Sequence, residues 1–93
     1  MIKSFKNKET EQIFNRETSR KYPPDIQGIA FRKLRMLNRS YNLHDLAVPP
    51  ANHLEALKGD RKGQHSIRIN DTWRICFIWK ETDAFEVKIA DHH

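Results

Sequence analysis

The chain predicts a small α+β domain, two N-terminal helices packed on a small, mainly antiparallel β-sheet. Three observations carry this expectation. Apolar residues recur at helical spacing between residues 24 and 38. From residue 64 onward, apolar and polar residues alternate in successive runs. Turn-forming pairs separate those runs.

Taken in order, Ile2-Lys3-Ser4-Phe5 alternates and suits a short strand. Residues from about Lys8 to Arg16 suit a short helix, with Asn7 able to cap its start and Ile13 and Phe14 as its apolar face. Residues 17–23 are polar and end in Tyr22-Pro23, so they read as a loop. Pro24 can open the next helix, because its missing N–H has no partner to lose in the first turn. That helix is expected to run to about Asn38. Ile26, Ile29, Ala30, Leu34 and Leu37 form its stripe, and Arg32, Lys33, Arg35 and Arg39 occupy much of the rest. Gly28 is either a weak point of this helix or a place where another element comes close.

Residues 40–52, with Pro49-Pro50, read as irregular chain containing a helical turn. Leu54 to Leu57 suits a short strand and Gly59 to Gly63 a charged turn. Gln64 to Ile69 alternates, and Asn70-Asp71 marks a tight connection. In the next strand Trp73, Ile75, Phe77 and Trp79 share one face, and Arg74, Cys76, Ile78 and Lys80 the other. After a turn at Thr82-Asp83, Phe85, Val87 and Ile89 alternate with Glu86, Lys88 and Ala90. The helices are expected to cover the apolar face, leaving Ser66, Arg68, Arg74 and Lys88 on the other. Trp73 and Trp79 alternate with core residues and read as core, not as platforms for bases.

With 93 residues there is room for one domain, residues 1–93, with one modest core. The net charge of +5 favours a polyanionic partner. The single cysteine, Cys76, excludes an internal disulfide and lies in an apolar run, so it reads as a buried structural thiol in a cytoplasmic protein. The start, Met1-Ile2-Lys3-Ser4-Phe5-Lys6, is too polar for a signal peptide, and no run approaches the ~20 apolar residues that span a membrane. The five histidines have no zinc-ligand spacing with a matching partner pair, so neither a metal nor another cofactor is expected.

The run from Leu57 to Ile69 (LKGDRKGQHSIRI), the following Asn70-Asp71-Thr72-Trp73-Arg74-Ile75-Cys76-Phe77, and the ending Asp91-His92-His93 together resemble the HigB toxins of the RelE/ParE superfamily. Order, spacing and total length carry the likeness more than any one motif. The resemblance implies the RelE-like microbial RNase fold. It also implies metal-independent cleavage of translated mRNA on the ribosome, which inhibits translation and growth. The implied partner is a HigA-like helix-turn-helix antitoxin, through which alone the pair would contact operator DNA.

Such cleavage uses the ribose 2′-OH as nucleophile. It needs a base for the 2′ proton, a cation for the charge building on phosphorus and an acid for the 5′ oxygen. The resemblance assigns the cation to Arg74, whose guanidinium can give a phosphate two parallel hydrogen bonds. It assigns the terminal acid/base pair to Asp91 and His93. His92 departs from the family's Tyr, and its imidazole could stack or take part in proton transfer. Near the Leu57-Lys58-Gly59 run, some relatives carry a catalytic His where this chain has Glu55, with His53 two residues earlier. Either could serve as base, or both could be surface residues. Lys58, Arg61, Lys62 and Arg68 are expected phosphate contacts on RNA or ribosome. Two other readings stay open: a ParE-like inhibitor of DNA gyrase, which needs no Arg74, Asp91, His93 set, and a non-catalytic RNA-binding domain.

Overall fold

The computed structural model describes residues 1–59 and 63–91. Helix α1 spans Lys8–Phe14, α2 Pro24–Arg39 and α3 Leu43–Ala47, followed by a 3-10 turn at Pro50–Asn52. Strands β1 (Glu55–Ala56), β2 (Gln64–Arg68), β3 (Trp73–Lys80) and β4 (Asp83–Asp91) form one sheet in sequence order, each pair antiparallel. The expected α+β arrangement of helices on a small antiparallel sheet is the one observed.

Local chemistry sets the helix ends. Asn7 accepts from the Thr10 N–H at 2.8 Å and so caps α1. Pro24 stands in the first turn of α2. At α3, Asn42 and Asp45 form a reciprocal capping box. Gly28 is exposed, and a Cβ there would meet nothing within 4 Å among the described residues, so close packing does not require a glycine.

The apolar stripe of α2 (Ile26, Ala30, Leu34, Leu37) meets Ile67, Ile75, Phe77, Val87 and Ile89 of the sheet in one core. Trp73 and Trp79 are half-buried against it, as expected. Burying a Leu or Ile side chain of this kind stabilises by about 1.5–3 kcal/mol, so these contacts fix which sheet face the helices cover. A second tie is polar. Thr10 is fully buried; its hydroxyl accepts from the Ile89 N–H at 3.0 Å and lies 3.2 Å from the Tyr22 hydroxyl. The Tyr22 hydroxyl also donates to the Ile89 carbonyl at 3.4 Å. Helix α1 therefore pins β4 two residues before Asp91.

Residues 2–5 make single parallel bridges to β4, Ile2 with Ala84 and Phe5 with Val87, where a continuous strand was expected. The interruption coincides with a bulge in β4. Cys76 pairs with Lys88 but Ile78 pairs with Phe85, so β4 carries one extra residue there, and Glu86 has φ 51°. Its N–H turns outward to the Ser4 hydroxyl at 2.9 Å. The bulge corrects the simple alternation of Phe85, Val87 and Ile89. Ala84 takes the core position opposite Trp79, and Phe85 moves to the opposite face, beside Ile78.

Candidate active site

Residues directly opposite in an antiparallel pair project to the same face. Glu55 on β1 is opposite Ser66 on β2, Ser66 is opposite Cys76 on β3, and Cys76 is opposite Lys88 on β4. One row further along, Arg68, Arg74 and Ala90 are opposite one another. The face away from the helices thus gathers Glu55, Ser66, Arg68, Arg74 and Lys88. The polar face expected from the alternation is present.

Arg74 is its centre and is only 6% exposed. Its side chain crosses β2 towards β1. Nε donates to the Ser66 hydroxyl at 2.8 Å, and Nη2 donates to the Ser66 carbonyl at 3.2 Å and to the His53 carbonyl. A guanidinium has five N–H donors, and these three bonds occupy the whole Nε/Nη2 edge. The charge is held in place by oxygen dipoles, and among the described residues these three bonds use only the Nε and Nη2 donors. A forked grip of phosphate through Nε and Nη2, the geometry that the residue type suggests, would require those bonds to break.

His53 can accept from Arg74 because of how the preceding turn ends. It caps the 3-10 turn with φ 43° and ψ 57°, left-handed backbone that a side-chain-bearing residue rarely adopts. The turn is fixed by Asn52, which is fully buried. The Asn52 amide donates to the Leu46 carbonyl at 2.9 Å and contacts the Met36 sulfur, and its Oδ1 accepts from the Lys33 ammonium of α2. A chain of contacts therefore runs from α2 through Asn52 and His53 to Arg74. His53 stands outside β1 with this backbone, so strand register does not place its side chain on the face of Glu55. Glu55 shares the Arg74 face; the His53 imidazole is exposed and its carbonyl is what joins the site.

Arg68, opposite Arg74, is half-buried and pairs with Asp71. Burial, then the Arg32 charge, then the Arg68 charge hold the Lys33 ammonium below its ordinary pKa. Lys58 is exposed beyond β1. Asp91 is the last residue of β4 and is exposed; it is opposite Trp73, in the row facing the helices, so the register does not place it beside Arg74. Arg61, Lys62, His92 and His93 lie outside the described residues.

Ser66, Asn52 and Lys33 belong to the arrangement but carry no signature in the sequence. A serine two residues before Arg68 on an alternating strand was visible as a face residue. Its bond to Arg74 depends on strand register. Among the described residues, no helix is long and apolar enough to cross a membrane.

The comparisons with known proteins agree with this fold. The family model described as the RelE-like toxin of type II toxin–antitoxin system HigB matches residues 3–93. The chain is 36% identical over 93 residues to Toxin HigB-1 of Vibrio cholerae, covering 99% of this chain and 98% of that one. It is 33% identical over 94 residues to Endoribonuclease HigB of Proteus vulgaris, covering both in full. Among solved structures, a mutant of YafQ from E. coli superposes with TM-score 0.65 at 12% identity, over 99% of this chain and 92% of that one. The RelBE2 toxin–antitoxin complex from Mycobacterium tuberculosis matches with TM-score 0.51 at 15% identity, over 99% and 96%. The match over nearly the whole chain, the two relatives and the shared architecture make this chain a member of the HigB-like family of RelE-type toxins of type II toxin–antitoxin systems.

Proposed function

We propose that this toxin is an endoribonuclease that cuts translated mRNA on the ribosome, without a metal, by attack of a ribose 2′-OH on the adjacent phosphorus. The P–O2′ bond forms, the P–O5′ bond breaks, and the products carry a 2′,3′-cyclic phosphate and a 5′-OH. The observation that carries the reading is the fixed guanidinium of Arg74 on a face shared with Glu55 and Arg68. A cation locked before the reaction stabilises charge as it develops, with no reorganisation at that moment. Glu55 is the base that removes the 2′ proton, supported by its register opposite Ser66, whose hydroxyl holds Arg74. Asp91 and His93, by likeness to the family's terminal pair, return a proton to the 5′ oxygen, and His92 stacks beside them. Lys58, Arg61, Lys62 and Arg68 hold flanking phosphates of mRNA or ribosome. A HigA-like antitoxin neutralises the protein in the cytoplasm.

The test is induction in bacteria lacking the antitoxin, with mRNA 5′ ends mapped beside an Arg74→Lys variant. New cuts are expected inside translated frames, and they disappear in the variant and when initiation is blocked. Growth arrest without cuts would replace this reading with gyrase inhibition. Binding of RNA without cuts or arrest would replace it with a non-catalytic RNA-binding role.

A further inference from the structure

Asn52 is a polar side chain at a fully buried position, and both ends of its amide are engaged there. An apolar residue of the same size would fill that space without the cost of burying an amide. What the polar group adds is direction. We propose that Asn52 is a positioning residue for cleavage: through the turn it holds, it aims the His53 carbonyl at Arg74 and so fixes the direction of the guanidinium. This rests on the ribonuclease reading above and names what orients its central cation from outside the β2–β3 pair.

Three observations carry it. First, the Asn52 amide ties the 3-10 turn to two helices at three points. It donates to the Leu46 carbonyl of α3 at 2.9 Å, contacts the Met36 sulfur of α2 at 3.1 Å, and accepts from the Lys33 ammonium of α2. The turn therefore takes its place from the helix layer. Second, the turn ends in backbone that has to be held. His53 has φ 43°, and left-handed backbone at a residue with a side chain persists only where its surroundings over-determine it. The turn's own bonds are ordinary, Asn52 N–H to the Pro49 carbonyl at 3.0 Å and His53 N–H to the Pro50 carbonyl at 3.1 Å. With the Asn52 amide gone, His53 is free to relax towards negative φ, which swings its carbonyl away from Arg74. Third, the His53 carbonyl is, among the described residues, the acceptor for Arg74 that lies outside the β2–β3 pair. The other two, the hydroxyl and carbonyl of Ser66, sit on the neighbouring strand and hold Arg74 whether or not the turn is in place. Without His53, Nη2 keeps only its 3.2 Å bond to the Ser66 carbonyl.

The experiment follows the Arg74 guanidinium of the full chain by nitrogen-15 NMR, and the chemistry by single-turnover cleavage of ribosome-bound mRNA, both well below Tm. In the wild type the Arg74 Nη2 protons should be resolved, because bonds to two carbonyls slow rotation about Cζ–Nη2. Asn52→Leu keeps the volume and removes the amide. It should speed that rotation about tenfold, the worth of one hydrogen bond to a charged group, and slow the cleavage step by about tenfold or more, with KM little changed. Lys33→Met removes one of the three holds on Asn52 and should move both readouts the same way, by about threefold. Lys33→Arg keeps a donor and should restore both. The two Lys33 variants decide the matter where Asn52→Leu does not fold. Ile26→Val, a core change near the start of α2, should lower Tm by about a few degrees and move neither readout, which separates positioning from general loosening. A folded Asn52→Leu or Lys33→Met protein that cuts at the wild-type rate overturns the proposal. So does slowed cutting with an unmoved Arg74 signal, or an equal response in Ile26→Val. A wild type that cuts nothing while its Arg74 signal responds as expected removes the ribonuclease reading and leaves the hold on Arg74 standing; wild-type cutting in every variant does the reverse.

Discussion

Replacing Ser66 with alanine removes one oxygen and tests how Arg74 works. Ser66 is 1% exposed and Arg74 6% exposed, so no water readily replaces the hydroxyl that accepts from Nε at 2.8 Å. A hydrogen bond to a charged group contributes about 1.5–3 kcal/mol, and the donor left behind is buried. A domain of this size is stable by about 5–14 kcal/mol, so the fold survives. With a shift of about 4–8 °C per kcal/mol, Tm should fall by on the order of 10 °C. The Ser66 carbonyl and His53 carbonyl still hold Nη2, so Arg74 remains near its place but can pivot. If the fixed direction of the charge matters, the cleavage step slows by about tenfold or more, while KM for the ribosome–mRNA complex changes little. Ser66→Thr keeps the acceptor and should restore the rate even where its extra methyl lowers Tm. The assays are thermal unfolding by circular dichroism and single-turnover cleavage of ribosome-bound mRNA. A Ser66→Ala enzyme with lowered Tm and full cleavage rate would refute the positioning argument; an unchanged Tm would refute the energetic one.

Two further predictions concern neighbouring residues. Glu55→Gln should lower the cleavage rate by about 10²-fold or more, the usual worth of a general base. His53→Gly, which keeps the carbonyl on Arg74 and relieves the left-handed backbone, should raise stability by about 0.5–1 kcal/mol and leave cleavage within a few-fold, read by the same two assays; the opposite pattern would move the base to the His53 imidazole. The third concerns His65, which stacks on Phe77 and whose Nδ1 is buried without a hydrogen-bond partner among the described residues. Burial holds its pKa below the ordinary 6.5. Above pH 6.5 both folded and unfolded forms are neutral and there is no penalty. As pH falls through 6.5 the unfolded chain takes up a proton more readily than the folded one, so stability drops towards the folded pKa. Denaturant unfolding at pH 7.5 and 5.5 should show a smaller loss in His65→Phe than in wild type, and equal losses would remove His65 from the acid sensitivity.

Much of the fold was legible because it follows from short-range rules. The three-and-four spacing of Ile26, Ala30, Leu34 and Leu37 sets the buried side of α2. The alternation around Ile67, Ile75 and Phe77 sets the buried side of the sheet and so places Arg68 and Arg74 on the other. The family likeness was also in the sequence, in the order and spacing of its motifs, as was the choice of Arg74 and Glu55 as candidates. Tertiary structure decided what those residues touch. The bulge at Glu86 moved Phe85 to the opposite face, because one extra residue between hydrogen-bonded rows inverts the alternation and is set by pairing across strands. The register put Asp91 opposite Trp73 instead of on the Arg74 face. The fold also brought together Lys33, Asn52, His53, Ser66 and Arg74, joined by hydrogen bonds across 19 and 21 positions and, within the β2–β3 pair, across 8. No local pattern connects residues at such distances. They meet because burying the helices on the sheet brings α2 and the 3-10 turn to its edge, and the buried polar groups there must find partners in one another.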